Sequence, residues 1–396
     1  MKGLYGRIEE GEHTRFEAPA THSDNRFFLA LHGRIGNIFS LCAGLPDMHG
    51  ITNDTDALLC LWRHKGSACL PELDGAFALA VWDAHERTLT LARDRFGLNP
   101  LYYTWENNNF AFSSDAITIA PRHRQANLNA IFHYLTVQSI PEPLSAFDGV
   151  NKLPHAACLT WRIGSKPQVR PYWTPVFTND FRGSLDDAAT ELHNLLTTSV
   201  KQQQFADKTG MLISGGVDSS LMLALLLEQG HPLTTFTLGF DEQSLDERPF
   251  ARELANLFHT EHHEILCPAP SGSFLETLVT QFTEPFADAS AVPTWLVLRA
   301  AHEAKCTTAV FGDGGDDLFA GYSRHITPFV CAGGDADDDR AAQLRTELDG
   351  FEEYSSLAAS INATNAKCYT FWARFWGPLK NEVCGEALRM EATPPA

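Results

Sequence analysis

A chain of 396 residues is long enough for two or three domains, each with its own core. Hydrophobic residues at 44% and charged residues at 20% are an ordinary globular composition, and a formal charge of −19 argues against nucleic-acid binding, which wants a basic surface. Nine cysteines, scattered from Cys42 to Cys384 with no C-x-x-C pair, predict neither a zinc site nor a disulfide framework. The first residues hold no signal-like apolar core and no run is long enough to span a bilayer, so the expected location is cytoplasmic with reduced thiols.

Residues 27–113 read as short strands separated by turn signals. The run Ala76-Phe77-Ala78-Leu79-Ala80-Val81-Trp82-Asp83 is a strand, and 88–92 pairs with it across the polar turn 84–87. Residues 101–103 and 110–112 flank the turn Asn107-Asn108-Asn109. One helix fits 54–64, with Asn53 as its N-cap. The prediction is an α+β first domain built on antiparallel sheet.

Three stretches here carry a resemblance. They are Leu73-Asp74-Gly75-Ala76-Phe77-Ala78, Ala92-Arg93-Asp94-Arg95-Phe96-Gly97-Leu98-Asn99-Pro100-Leu101-Tyr102-Tyr103, and Asn53-Asp54-Thr55-Asp56 ahead of its helix. Together they resemble the glutaminase domain of glutamine-hydrolysing asparagine synthetases. Met1-Lys2-Gly3-Leu4-Tyr5-Gly6 lines up with that family's Met-Cys-Gly-Ile-x-Gly, in which the Cys becomes the nucleophile. Lys2 stands there instead, and an ammonium group cannot form the thioester of glutamine hydrolysis. The family's Asn-Gly-Glu-Ile-Tyr-Asn appears as His32-Gly33-Arg34-Ile35-Gly36-Asn37. Its Arg-Leu-Ser-Ile strand is expected to be missing, because residues 6–27 are too short to hold it. Asp54 is the remnant of the glutamine site. The resemblance thus implies a glutaminase fold kept as a scaffold without its chemistry.

Residues 145–154 and Pro171-Tyr172-Trp173 match the family's junction, and Pro, Gly and polar residues suit a boundary. The expected division is a degenerate glutaminase-like domain over 1–163, a linker over 164–190 and a synthetase domain over 191–396. A helix over 185–203 leads into Met211-Leu212-Ile213-Ser214-Gly215-Gly216-Val217-Asp218-Ser219-Ser220, where a short apolar strand meets a helix through small residues. Glycines admit close approach of a ligand, and hydroxyls with helix-start N–H groups favour an anion. The Lys-Ser/Thr ending of the common phosphate loop is absent. Asp218 among phosphate-binding groups calls for a divalent cation between them, which suits magnesium pyrophosphate. The plain alternative is a turn whose Asp and Ser cap the helix. The loop resembles the pyrophosphate loop of ATP pyrophosphatases, which cleave ATP to AMP and pyrophosphate.

Strand and helix then alternate: a strand over 234–238, a helix over 252–258 and a strand over 263–266. That order predicts a doubly wound parallel sheet of the α/β class, with the loops after Ile213, Leu238 and Phe311 meeting around one nucleotide. His262 and His263, adjacent on a strand, face opposite sides and so make a poor chelating pair. Val310-Phe311-Gly312-Asp313-Gly314-Gly315-Asp316-Asp317-Leu318-Phe319-Ala320-Gly321-Tyr322 interleaves acids with glycines, a pattern able to set carboxylates beside phosphate through magnesium. It resembles the synthetase family's Ser-Gly-(Glu/Asp)-Gly-Gly-Asp-Glu-Leu-Phe-x-Gly-Tyr.

The resemblance implies ATP and Mg2+ as cofactors. Asp218 and Asp316 would be the metal ligands. Ser214, Gly215, Gly216, Ser219 and Ser220 would cradle pyrophosphate, and Leu212, Leu238, Phe311 and Gly312 would surround adenosine. Asp313 would be the catalytic residue that assists the incoming amine, at a position where lactam-forming relatives carry Tyr, so amidation is preferred. The implied reaction adenylates a small-molecule carboxylate, aspartate by default, and passes it to an amine or ammonia. Nitrogen would come from ammonia, a separate glutaminase, or an amine on the substrate itself, as in a lactam or macrolactam synthetase. The family's later Lys-x-Asp-Arg and Glu-x-Arg-x-Pro-Phe-Leu-Asp motifs are not found after Tyr322, so a synthetase domain incomplete at its C-terminus, or a non-catalytic nucleotide-binding homologue, is the other expectation. A homodimer is compatible with all of these. Residues 335–339 read as a solvated acidic loop, and 354–376 as an apolar, aromatic helical stretch.

Overall fold

The computed structural model describes residues 3–321, apart from 9–13, 18–19, 49, 107, 122, 124, 179, 204, 206–207, 244–245 and 320. Lys2, Tyr322, the acidic run 335–339 and the aromatic stretch 354–376 therefore lie outside the described residues. The first domain contains β1 (Tyr5–Ile8), β2 (Thr14–Glu17), β3 (Ala20–Ser23), β4 (Phe27–Ile35), α1 (Ile38–Leu41), α2 (Asp54–Lys65), β5 (Gly75–Asp83), β6 (Thr88–Arg93), β7 (Tyr102–Glu106), β8 (Asn109–Ser113), α3 (Ala116–Ile119), α4 (Leu128–Val137), β9 (Asn151–Lys152), β10 (Ala157–Arg162) and β11 (Gln168–Pro171). Its strands form two antiparallel sheets, ordered β2-β1-β8-β7-β9 and β11-β10-β6-β5-β4-β3.

Strand β5 shows why two sheets stack. Its alternate residues Phe77, Leu79 and Val81 enter a core with Leu58 and Trp62 of α2, whereas Ala78, Ala80 and Trp82 face a second core. That second core holds Leu4, Ile8, Tyr103, Phe110 and Phe112 of the other sheet. Period-two alternation buries both faces, and the alanines let the facing sheet approach. The N-cap at Asn53 forms as expected, its side chain accepting from the Asp56 amide.

Two features of the first domain lie beyond what the sequence reading expected. The stretch after Gly6 does hold strands: β2 pairs with β1 and β3 pairs with β4. Ladder pairing uses backbone groups, so strands survive the loss of a side-chain motif. The first domain's sheet also runs past residue 163, because β11 pairs with β10. All four residues of β11 are exposed, so this edge strand carries no alternation for sequence patterning to detect.

Helix α5 (Leu185–Gln202) starts at a capping box formed by Ser184 and Asp187. The second domain follows with β12 (Thr209–Leu212), α6 (Val217–Glu228), β13 (Leu233–Gly239), α7 (Arg248–Phe258), β14 (Glu261–Leu266), α8 (Gly272–Val279), α9 (Ala291–Glu303), β15 (Thr308–Val310) and α10 (Gly315–Phe319). Its sheet, ordered β14-β13-β12-β15, is parallel throughout. Met211, Leu223, Leu226 and Ala255 pack on one face, while Phe236, Val297 and Ala301 pack on the other. The sheet is thus doubly wound, as alternating strands and helices predict. His262 and His263 diverge: the first approaches the Thr235 hydroxyl at 3.0 Å and the second stacks on Phe236. Among the described residues no helix is long and apolar enough to cross a membrane.

Candidate active site

The chain runs outward from β12 to β14, then crosses back to lay β15 on the opposite side of β12. The order reverses between β12 and β15, and a crevice at the carboxyl ends of such a pair is where doubly wound sheets bind ligands. A cleft of about 450 Å³ lies there. The loop after β12 lines it with Ser214, Gly216, Asp218 and Ser219, and the loop after β15 lines it with Gly312, Asp313 and Asp316.

The first loop is held open by its own hydroxyls. Ser219 Oγ accepts the Ser214 amide at 3.2 Å and lies 3.1 Å from Ser214 Oγ, which in turn accepts the Gly216 amide at 3.2 Å. Ser220 Oγ donates to the Gly216 carbonyl at 2.7 Å, and this residue is not among those lining the cleft. Helix α6 begins at Gly216 with no side-chain cap, so neither Asp218 nor the serines do the capping of the plain alternative. The first-turn N–H groups of α6 lack intrahelical acceptors and are suited to an anion. Gly215, also outside the lining, has φ +85°, and a Cβ there would meet Phe250 Cβ at 2.6 Å. Only glycine fits.

The two loops touch. A Cβ at Gly312 would lie 3.1 Å from the Ser219 nitrogen, and one at Gly315 would lie within 2.3 Å of the Asp218 carboxylate. Glycine at both positions lets the acidic loop close on the start of α6, bringing Asp218 and Asp316 into one cleft. The Asp316 carbonyl accepts the Gly321 amide at 2.8 Å. Leu212 lines the cleft; Leu238 and Phe311 do not, but all three pack into one apolar cluster beside Phe236 and Ile265.

The sequence reading overlooked three neighbours. Val217 lines the cleft and is exposed, its residue type giving no hint of a ligand-facing place. Phe250, on α7, forms the wall that excludes a side chain at Gly215. Arg248 crosses the end of β13 at Gly239 and forks onto Asp246 at 2.7 and 2.9 Å; that side-chain bond leads the causes holding the Asp246 carboxyl below its ordinary value.

Asp54 lines a different cavity, of about 780 Å³, that shares no residue with this cleft. Gly33, Arg34, Asp74, Arg95 and Asn99 share that cavity, and Ser199 and Gln202 of α5 close it. One Asp54 oxygen accepts the Ile35 amide at 3.1 Å, and Arg95 is paired with Asp74 while lying 5.5 Å from the Trp173 ring.

Residues 191–377 match the asparagine synthase family model, and residues 12–173 match that of a glutamine amidotransferase domain. The chain is a family-level match to the glutamine-hydrolysing asparagine synthetases. Asparagine synthetase [glutamine-hydrolyzing] 1 of Bacillus subtilis is 30% identical over 322 residues, covering 78% of this chain and 50% of that protein. A putative asparagine synthetase of Methanocaldococcus jannaschii is 30% identical over 290 residues, 70% of this chain and 55% of that one. Amidase chyE of Penicillium rubens is 28% identical over 293 residues, 68% and 43% respectively. The chain spans about half the length of these relatives. The glutaminase-like first domain and pyrophosphate-loop second domain expected from the asparagine synthetase resemblance agree with these matches.

Proposed function

We propose that the second domain binds magnesium ATP and drives AMP-forming amide synthesis. ATP adenylates a carboxylate, by default aspartate, with loss of pyrophosphate, and an amine then displaces AMP to leave the amide. The observation that carries this reading is the contact of two glycine-rich loops at the strand-order reversal, with Asp218 and Asp316 lining one cleft.

The residues present suit magnesium. Among the described residues no three His, Cys, Asp or Glu side chains converge into a metal cage. Magnesium instead commonly takes one or two carboxylates and completes its shell with phosphate oxygens and water. Asp218 and Asp316 would hold it, and it would neutralise charge on the leaving pyrophosphate. Ser214, Ser219 and the first-turn amides of α6 would donate to the phosphate oxygens, with Gly215 setting the curve of the loop. The apolar cluster of Leu212, Leu238 and Phe311 would take the adenosine. Asp313, on the cleft wall, would receive a proton from the incoming amine, which must be neutral to attack.

We further propose that nitrogen reaches the acyl adenylate as ammonia or a substrate amine rather than by glutamine hydrolysis in the first domain. Lys2 in place of the family's Cys, Arg34 in place of its Glu, and an Asp54 carboxylate that accepts the Ile35 amide support this. The test is pyrophosphate and AMP release from Mg-ATP with aspartate and either ammonium or glutamine, beside Asp218→Ala. Release with ammonium and not glutamine is expected. Release with glutamine as sole nitrogen source would defeat the second proposal. Absence of any release while Asp218→Ala binds ATP as well as the parent would defeat the first.

A further inference from the structure

Three segments of the first domain converge on one carboxylate of the second. Glu284 lies in the turn between α8 and α9, and its side chain is 10% exposed. Its Oε1 accepts the Ala146 amide at 2.8 Å. Its Oε2 accepts the Tyr102 hydroxyl at 3.0 Å and stands 2.8 Å from the Lys152 ammonium. Lys152 is itself 13% exposed, also donates to the Ile140 carbonyl at 3.1 Å, and lies 5.7 Å from the Tyr102 ring centroid. Burial, followed by the Glu284 charge, holds the Tyr102 phenol well above its ordinary value, so its hydroxyl stays a donor.

Surface ion pairs add little, but a desolvated carboxylate satisfied by several donors behaves differently. Removing one donor leaves charge without compensation, so the arrangement fixes geometry. None of these four residues lines the cleft or the first-domain cavity.

The position of Glu284 gives the contact a consequence. Helix α9 ends just before β15, at the amino end of a parallel sheet. Its 13 residues span about 20 Å, so its start, and the turn before it, lie toward the carboxyl ends where the cleft opens. Helix α9 also packs on β13 and β14.

We propose that the first domain serves the second as a positioning scaffold, with Glu284 as the positioning residue through which it holds the 280–290 turn on the carboxyl-end side of the sheet, the side on which the cleft opens. This gives a glutaminase-like domain a task that needs no nucleophile. It does not depend on which carboxylate or amine the second domain takes.

Hydrogen exchange on the full chain tests it. In Lys152→Met and Tyr102→Phe, peptides covering 280–290 should exchange roughly tenfold faster, and faster still in the double variant, since hydrogen bonds to a charged group are lost. Peptides of β5 and β6 should keep their protection. Lys152→Arg should retain the slow exchange, and the exposed control Lys166→Met should leave it unchanged. From the other side, Glu284→Gln should loosen peptides covering 143–152. Unchanged protection of 280–290 in the double variant would overturn the proposal. If that variant unfolds the first domain, Glu284→Gln decides, and unchanged exchange over 143–152 would overturn it. Because exchange needs no turnover, failure here is distinct from failure of the amide-synthesis reading, which ATP cleavage reports.

Discussion

The cleft of the second domain and the cavity of the first are built alike and spend their residues differently. Both are lined by glycines and aspartates, with Asp54, Asp218 and Asp316 each in the first turn of a helix. In the cleft, Asp218 and Asp316 stand at the junction of two loops packed glycine to helix start. In the cavity, Asp54 receives the Ile35 amide and Asp74 receives Arg95, so both carboxylates are tied into the wall. A fold rests on its buried core, whereas chemistry rests on a few rim side chains. The first domain keeps two buried cores, and under the proposal above it does so without hydrolysing glutamine, because those requirements are separable.

The sharpest way to break this contrast is to remove a carboxylate from each side. Asp218→Ala should lower pyrophosphate release by roughly a hundredfold or more, the scale of losing a key electrostatic group. Asp54→Ala should leave ammonium-dependent release unchanged. Equal losses from both would erase the distinction between an active cleft and a silent cavity.

A smaller effect comes from the backbone. Gly215→Ala must place a side chain at φ +85° against Phe250, and ATP affinity measured by calorimetry should fall about tenfold or more as the loop is displaced. Gly44→Ala is the matched control: φ is +89°, but nothing lies within 4 Å of the added Cβ. It should cost about 1 kcal/mol of stability from backbone strain and leave ATP binding intact.

The first domain's integrity should show a signature in acid. Burial pushes the Glu142 carboxyl up, but the His155 amide and ring at 2.9 Å and the Arg93 guanidinium at 2.6 Å outweigh it and hold it below its ordinary value. A carboxyl depressed in the folded state contributes stability that is fully present above its unfolded value of 4.5 and is lost as pH falls through its folded value. Glu142→Gln should therefore be less stable than the parent at neutral pH. Chemical denaturation below pH 4.5 should bring the two together. Parallel curves across that range would show that the knot contributes nothing to acid sensitivity.

Among these, the fine contrast lies with Asp313. Asp313→Asn should keep ATP binding, because it leaves Asp218 and Asp316 in place, and should slow amide formation selectively. An equal fall in ATP affinity would move Asp313 from amine handling to the phosphate site.

Sequence alone determined the elements whose signals are local. Strand β5 announced itself as an apolar run ending at a polar turn, α2 by Asn53, and both glycine-rich loops by residue types that few other conformations use. Their order was enough to predict a doubly wound sheet and to name residues that line its cleft. The exposed edge strand β11 left no trace, because no face of it is buried. Tertiary structure alone decided which distant groups meet. It set Phe250 under Gly215 and Arg248 over Gly239, and it closed three donors of the first domain on Glu284. Tyr102 and Glu284 are 182 residues apart, and no periodicity or propensity spans that distance. Such contacts exist only once two cores have formed and docked, since the carboxylate at their junction finds its donors only in the assembled fold.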